Sequence, residues 1–156
     1  GRFDCPHGIW VDYRGDNPEL YVADRTNRQV QVYDLEGKYK RTFGKGILTS
    51  PSCFAIDGSN MIVGELRARL ALFDINDDFL TFIGENEAIA RVERNSTDDV
   101  PGWPNGLDDS GNAARSTALE EGKFNSPHGI ATDLEGNIYS GEWLIGGRYT
   151  KLAKLG

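Results

Sequence analysis

The segment Pro6-His7-Gly8-Ile9-Trp10-Val11-Asp12 returns near the other end of the chain as Pro127-His128-Gly129-Ile130-Ala131-Thr132-Asp133. A divergent copy, Pro51-Ser52-Cys53-Phe54-Ala55-Ile56-Asp57, lies between them. A unit copied three times restricts the chain to architectures assembled from repeated supersecondary modules. Each copy runs into a second apolar strand ending in an acid: Leu20 to Asp24, Met61 to Glu65 and Ile138 to Glu142. Third strands follow at Gln29 to Tyr33, Leu70 to Phe73 and Tyr149 to Ala153, and fourth strands at Tyr39 to Phe43 and Phe79 to Ile83. The connections Asp34-Leu35-Glu36-Gly37-Lys38, Asp57-Gly58-Ser59-Asn60 and Asp133-Leu134-Glu135-Gly136-Asn137 supply the Asp, Asn and Gly that tight turns need. Four short alternating strands in a unit of roughly 40–45 residues describe a propeller blade. No helical periodicity of useful length competes outside one inserted segment. The predicted fold is all-β, a β-propeller of about three four-stranded blades.

The copies divide a single propeller segment into blades at about 1–50, 51–83 and 124–156, with a long inserted loop at 84–126. Complete propellers carry about four to eight blades, and the third copy stops before a fourth strand. Either the chain is part of a longer protein, or two or more copies close a ring together. Three blades are half of six, so a homodimer fits the arithmetic. An open arc would otherwise expose strand edges and apolar blade faces. The insert is rich in Asp, Glu, Asn and Gly, centred on Pro101-Gly102-Trp103-Pro104-Asn105-Gly106. Ala113 to Glu121 has the composition of a short helix. Long loops are functional or disordered. This one reads either as a lid or partner-contact loop anchored by Trp103, or as a surface excursion.

Composition narrows the partners. With 26% charged and 38% hydrophobic residues, the chain has no apolar run approaching the about 20 residues of a spanning helix. Its net charge of -7 argues against nucleic acid, which requires clustered cations. The basic residues Arg25, Arg28, Lys38, Lys40 and Arg41 are interspersed with acids, the pattern of a solvated face. The chain begins at Gly1 without a signal peptide, which leaves the compartment open. Cys5 and Cys53 stand near the starts of equivalent strands, where a bridge and two free thiols are both compatible with the spacing.

His7 and His128 are the two histidines, and they occupy the same position in two copies. In a propeller the first strand of each blade lines the channel, so residues at its start gather around one mouth. Neutral imidazole is a frequent ligand for zinc, copper or nickel, although a catalytic zinc has three protein ligands. Two roles stand open: metal ligands, or caps that bond neighbouring backbone. Asp24, Glu65 and Glu142 read as acceptors for amides of neighbouring loops. Arg25 departs from the repeat, since its counterparts are Leu66 and Trp143. It is placed either to clamp a carboxylate at the mouth or to form an inter-blade salt bridge.

The Pro-His-Gly-Ile motif, followed by Leu20-Tyr21-Val22-Ala23-Asp24-Arg25-Thr26-Asn27-Arg28-Gln29-Val30-Gln31-Val32-Tyr33, resembles an NHL repeat. Phe124 to Glu142 resembles the last blade of one branch of that group, the six-bladed peptidyl-α-hydroxyglycine α-amidating lyases and their bacterial relatives. The resemblance covers most of the chain outside 84–126. It implies a channel zinc held by three histidines, two of them matching His7 and His128, and a substrate-binding arginine matching Arg25. Such lyases cleave a C-terminal α-hydroxyglycine into a peptide amide and glyoxylate. The family's third histidine, catalytic tyrosine and second arginine match no residue here, so the expectation is an NHL module rather than a complete lyase. A non-catalytic scaffold for a protein, peptide or small-molecule ligand is the alternative. The resemblance is compatible with a secreted or extracytoplasmic location.

Overall fold

The computed structural model describes residues 2–90, 103–104, 110–113, 115–116 and 119–155. Three antiparallel meanders form the molecule. The first runs β1 (Pro6–Asp12), β2 (Glu19–Asp24), β3 (Gln29–Tyr33) and β4 (Tyr39–Phe43). The second runs β5 (Pro51–Asp57), β6 (Asn60–Glu65), β7 (Arg69–Phe73) and β8 (Phe79–Ile83). A one-turn helix, α1 (Glu87–Ala90), precedes the third meander of β9 (Pro127–Thr132), β10 (Ile138–Glu142) and β11 (Arg148–Leu152). The first strands of the sheets are neighbours, β1 beside β5 and β5 beside β9. The fold is all-β and of propeller type, as the repeat predicts.

Alternation along the strands decides which sheet packs on which. Tyr21, Ala23, Val30 and Val32 of the first sheet bury against Phe54, Met61, Val63, Ala71 and Phe73 of the second. The second sheet's other face, Ala55, Ile62 and Leu70, closes on Ile138 and Phe124. Both faces of the middle sheet are therefore covered, which is why Met61-Ile62-Val63 and Leu70-Ala71-Leu72-Phe73 read as continuous apolar runs. The outer face of the third sheet is open, with Ala131, Gly141 and Tyr149 exposed.

One turn form recurs, joining β3 to β4, β7 to β8 and β9 to β10. Asp34–Lys38, Asp74–Asp78 and Asp133–Asn137 each close with a backbone N–H returned to the opening Asp carbonyl. The fourth residue has positive φ in all three: Gly37, Asp77 and Gly136.

At the end of β1 away from the histidines, a polar clasp joins the first two sheets. Arg14 grips Asp12 with two bonds, 2.9 and 3.0 Å, and reaches the Ser59 carbonyl at 2.9 Å. Arg41 Nε donates to Asp77 Oδ2 at 2.8 Å, its Nη1 to Glu19 at 3.0 Å and its Nη2 to the Tyr21 hydroxyl at 2.9 Å. Tyr21 in turn donates to Asp77 Oδ1 at 3.0 Å, and Lys40 pairs with Glu19. Arg41 and Lys40 are thus engaged in ion pairs rather than lying idle on a solvated face.

The insert departs from expectation at its helix. Among the described residues between 113 and 121 none is helical, and Ala114, Thr117 and Ala118 lie outside the described set, as do Pro101, Gly102, Asn105 and Gly106. Tertiary contacts override the propensity: Asn125 Nδ2 bonds Ser116 Oγ at 3.3 Å, and the Arg115 guanidinium lies against Gly146. Trp103 is fully buried with Leu66, Ala68, Ile89 and Leu144. This burial fixes Trp103 on the body of the molecule.

Candidate functional site

Three acids build the mouth. Each repeat closes its second strand with a carboxylate that turns back to the segment entering its own first strand. Asp24 Oδ1 accepts the Asp4 N–H at 2.8 Å, while Oδ2 accepts Asn27, Gln29 and Gln31 side-chain amides at 2.8, 2.8 and 2.6 Å. Glu65 Oε1 accepts the N–H groups of Thr49 and Ser50, and its Oε2 faces Arg69 Nε at 2.5 Å. Glu142 accepts the N–H groups of Asn125 and Ser126, with Arg148 Nε 3.2 Å from its other oxygen. Gln29, Arg69 and Arg148 all open a third strand. The acids are therefore buried capping groups, a role the repeat itself indicated.

The residue after each acid is pinned as well. The N–H groups of Arg25, Leu66 and Trp143 bond the carbonyls of Cys5, Ser50 and Ser126, each one residue before the repeated proline. Two rings of positions result around the starts of β1, β5 and β9. One holds His7, Ser52 and His128; the other holds Arg25, Leu66 and Trp143.

His7 and His128 meet with ring centroids 4.8 Å apart and planes at 84°. His7 Nδ1 lies 2.9 Å from the Ser52 carbonyl oxygen. A carbonyl has no proton to give, so Nδ1 is the donor, and in the neutral ring the lone pair belongs to Nε2. Gly8 makes this approach feasible, since a Cβ there would lie 2.3 Å from the same oxygen. Gly129, its equivalent, has nothing within 4 Å of such an atom. Ser52 occupies the third position, its hydroxyl 2.9 Å from the carbonyls of both Gly64 and Pro127. A hydroxyl has one proton, so it serves one carbonyl at a time while tying the second sheet to the third.

His128 has its pKa held below the ordinary histidine value, chiefly by burial and further by His7 and Arg25. Trp143 leans on it at 6.1 Å, and Trp103 on Trp143 at 5.4 Å. Arg25 forms no ion pair with any described residue, and its buried Nε has no hydrogen-bond partner among them. Cys5 and Cys53 are free thiols. Burial raises the Cys53 thiol to about 11, which keeps it protonated. Trp143 was missed as a site residue, although its place in Arg25's repeat position was the available signal.

This arrangement presents two imidazoles in contact, a guanidinium whose Nε has no partner among the described residues, and an indole wall. Among the described residues, no three His, Cys, Asp or Glu side chains are grouped closely enough to hold a metal ion. No described helix is long and apolar enough to cross a membrane.

No family model and no curated protein matches the chain. Among solved structures it is similar to hydrazine synthase of Kuenenia stuttgartiensis, with a TM-score of 0.52 at 13% identity over 98% of this chain and 47% of that one. Virginiamycin B lyase of Staphylococcus aureus aligns with a TM-score of 0.41 at 13% identity, covering 96% of this chain and 55% of that one. A streptogramin B lyase gives 0.42 at 13%, covering 96% and 54%. The chain spans about half the length of these proteins. At such identities the likeness speaks to the fold alone.

Proposed function

We propose that the chain is an NHL-type propeller module related to the zinc-dependent peptidyl-α-hydroxyglycine amidating lyases, contributing two histidines and one arginine to a site at the channel mouth. The observation that supports this reading is the 4.8 Å meeting of His7 and His128. Burial favours the neutral, ligand-competent form of His128, and the Ser52 carbonyl fixes the tautomer of His7. A bound zinc would act as a Lewis acid on substrate oxygens. Arg25 would hold a carboxylate through its Nε, which has no partner among the described residues, and neighbouring donors. Trp143 would keep bulk water from one side of His128. With the family's third histidine, tyrosine and second arginine unmatched, the 156-residue chain alone binds metal without turning over substrate.

One observation favours a second reading. The His7–Ser52 bond and the Ser52–Pro127 bond form a continuous tie across three sheets, as in a non-catalytic scaffold, including one closed into a ring by a second copy. Elemental analysis and light scattering on one chromatographic peak separate the readings. Stoichiometric zinc, lost in both His7→Ala and His128→Ala while the fold persists, supports the metal site. A metal-free chain that loses stability but no metal in those variants favours the scaffold, and dimer mass would add the closed ring.

A further inference from the structure

The connection between β1 and β2 runs from Tyr13 to Pro18, six residues where the equivalent turn between β5 and β6 takes two. It lies at the end of β1 away from the histidines, and its residues line two adjoining grooves. One, of about 470 Å³, is lined by Asp16, by Glu19 and Arg41 of the clasp, and by Ile75 of the second sheet. The other, of about 450 Å³, is lined by Pro18, Leu35, Glu36 and Tyr39. Asn17 and Lys40 belong to both, so they form the ridge between the grooves.

The two grooves differ in charge. The first sets three acids, Asp12, Asp16 and Glu19, against two cations, Lys40 and Arg41. Arg14 holds Asp12, while Lys40 and Arg41 hold Glu19. Asp16 is left exposed, with no side-chain partner among the described residues. The second groove balances Asp34 and Glu36 against Lys38 and Lys40, and adds the exposed apolar surfaces of Leu35 and Tyr39. On the ridge, the Asn17 side chain also has no partner among the described residues. Its amide carries both donors and an acceptor, the complement of what a peptide backbone presents.

We infer that this cleft is a docking site for an extended peptide segment of a partner protein, carrying an arginine and a leucine two residues apart. Side chains at i and i+2 of an extended chain share one face, about 7 Å apart, which lets them straddle a ridge. The peptide backbone crosses Asn17 and exchanges hydrogen bonds with its amide. The arginine enters the first groove, where its fork pairs with the Asp16 carboxylate. The leucine enters the charge-balanced second groove and covers Leu35. The cleft lies at the opposite end of the strands from the histidines, so this inference is independent of the metal reading.

The test uses the full chain and two dye-labelled peptides in a glycine–serine frame, one carrying Arg-Ser-Leu and the other Leu-Ser-Arg, which present the pair in the two chain directions. Saturable binding of one of them is expected. It weakens about five- to tenfold in Asp16→Lys and about three- to tenfold in Asn17→Ala. Leu35→Ser weakens it by a similar factor, whereas Leu134→Ser leaves it unchanged, because Leu134 holds the same place in a turn that lines neither groove. All four side chains are exposed, so each variant keeps the fold, checked by circular dichroism. Replacing the peptide's arginine with glutamate reverses the effect of Asp16→Lys. Saturation by neither peptide at millimolar concentration, equal losses in Leu35→Ser and Leu134→Ser, or indifference of Asp16→Lys to the sign of the peptide's charge would overturn the inference. Arginine amide competing as strongly as the peptide would overturn it in favour of a small-cation site. Concentration-dependent self-association without peptide, abolished by Asn17→Ala, would overturn it in favour of a second copy.

Discussion

Asp77 occupies a left-handed position, φ 65°, that its two sister turns give to Gly37 and Gly136. An L-residue there costs about 1–2 kcal/mol, and the return is a buried carboxylate for Tyr21 and Arg41. Separating backbone from side chain requires two substitutions. Asp77→Ala keeps the strain and removes one acceptor from each of Tyr21 and Arg41, which still bond each other while Arg41 keeps Glu19, and is expected to cost about 1–3 kcal/mol. Asp77→Gly relieves the strain and should be milder by about 1 kcal/mol in urea unfolding. Glu19, in the same clasp, is held at about 2 by its Arg41 bond and then by Lys40. Its folded pKa lies below the unfolded value, so its contribution is complete above about pH 4.5 and fades as pH falls toward 2. Glu19→Gln should therefore lose about 1–2 kcal/mol at pH 7, and the gap to wild type should narrow between pH 4.5 and 2 in a pH series of unfolding curves. Burial raises Asp77 in the opposite sense, so Glu19 is the member of this clasp whose loss flattens the acid limb.

Within the second blade, volume is traded across the first two strands. Cys53 stands opposite Gly64, and a Cβ on Gly64 would lie 2.4 Å from the Cys53 sulfur. In the third copy both positions are glycine, Gly129 facing Gly141. Gly64→Ala should destabilise by about 1–3 kcal/mol through overpacking. Adding Cys53→Gly should recover most of that loss, a coupling visible in a double-mutant thermal series. Strands, turns and capping acids were legible because each obeys a local rule: period-two patterning, Asp/Gly turn chemistry, and an acid at a fixed place in the repeat. The meeting of His7 with His128 was legible from the same repeat. The clasp was not, because Asp12, Arg14, Glu19, Tyr21, Arg41 and Asp77 come from four separate segments and no spacing announces their convergence. The free cysteines likewise follow from where the strands sit, which spacing alone leaves undecided.

Across the whole molecule, the insert is tied to the body by Trp103, and no periodicity could have revealed where that ring lands. Trp103→Ala should cost about 3–5 kcal/mol and release Trp143 from its stacking partner, read as a change in near-ultraviolet circular dichroism and indole fluorescence. The middle sheet has a different importance. The first sheet leans on one of its faces and the third on the other, and between the first and third the described ring contact is the histidine pair at the mouth. The three sheets are thus links in series, and the central link bears both joints. A defect in an outer sheet frees one joint, whereas a defect in the middle sheet frees two at once. Damage at Met61 or Phe73, which pack toward the first sheet, will accordingly be felt at His128 on the third.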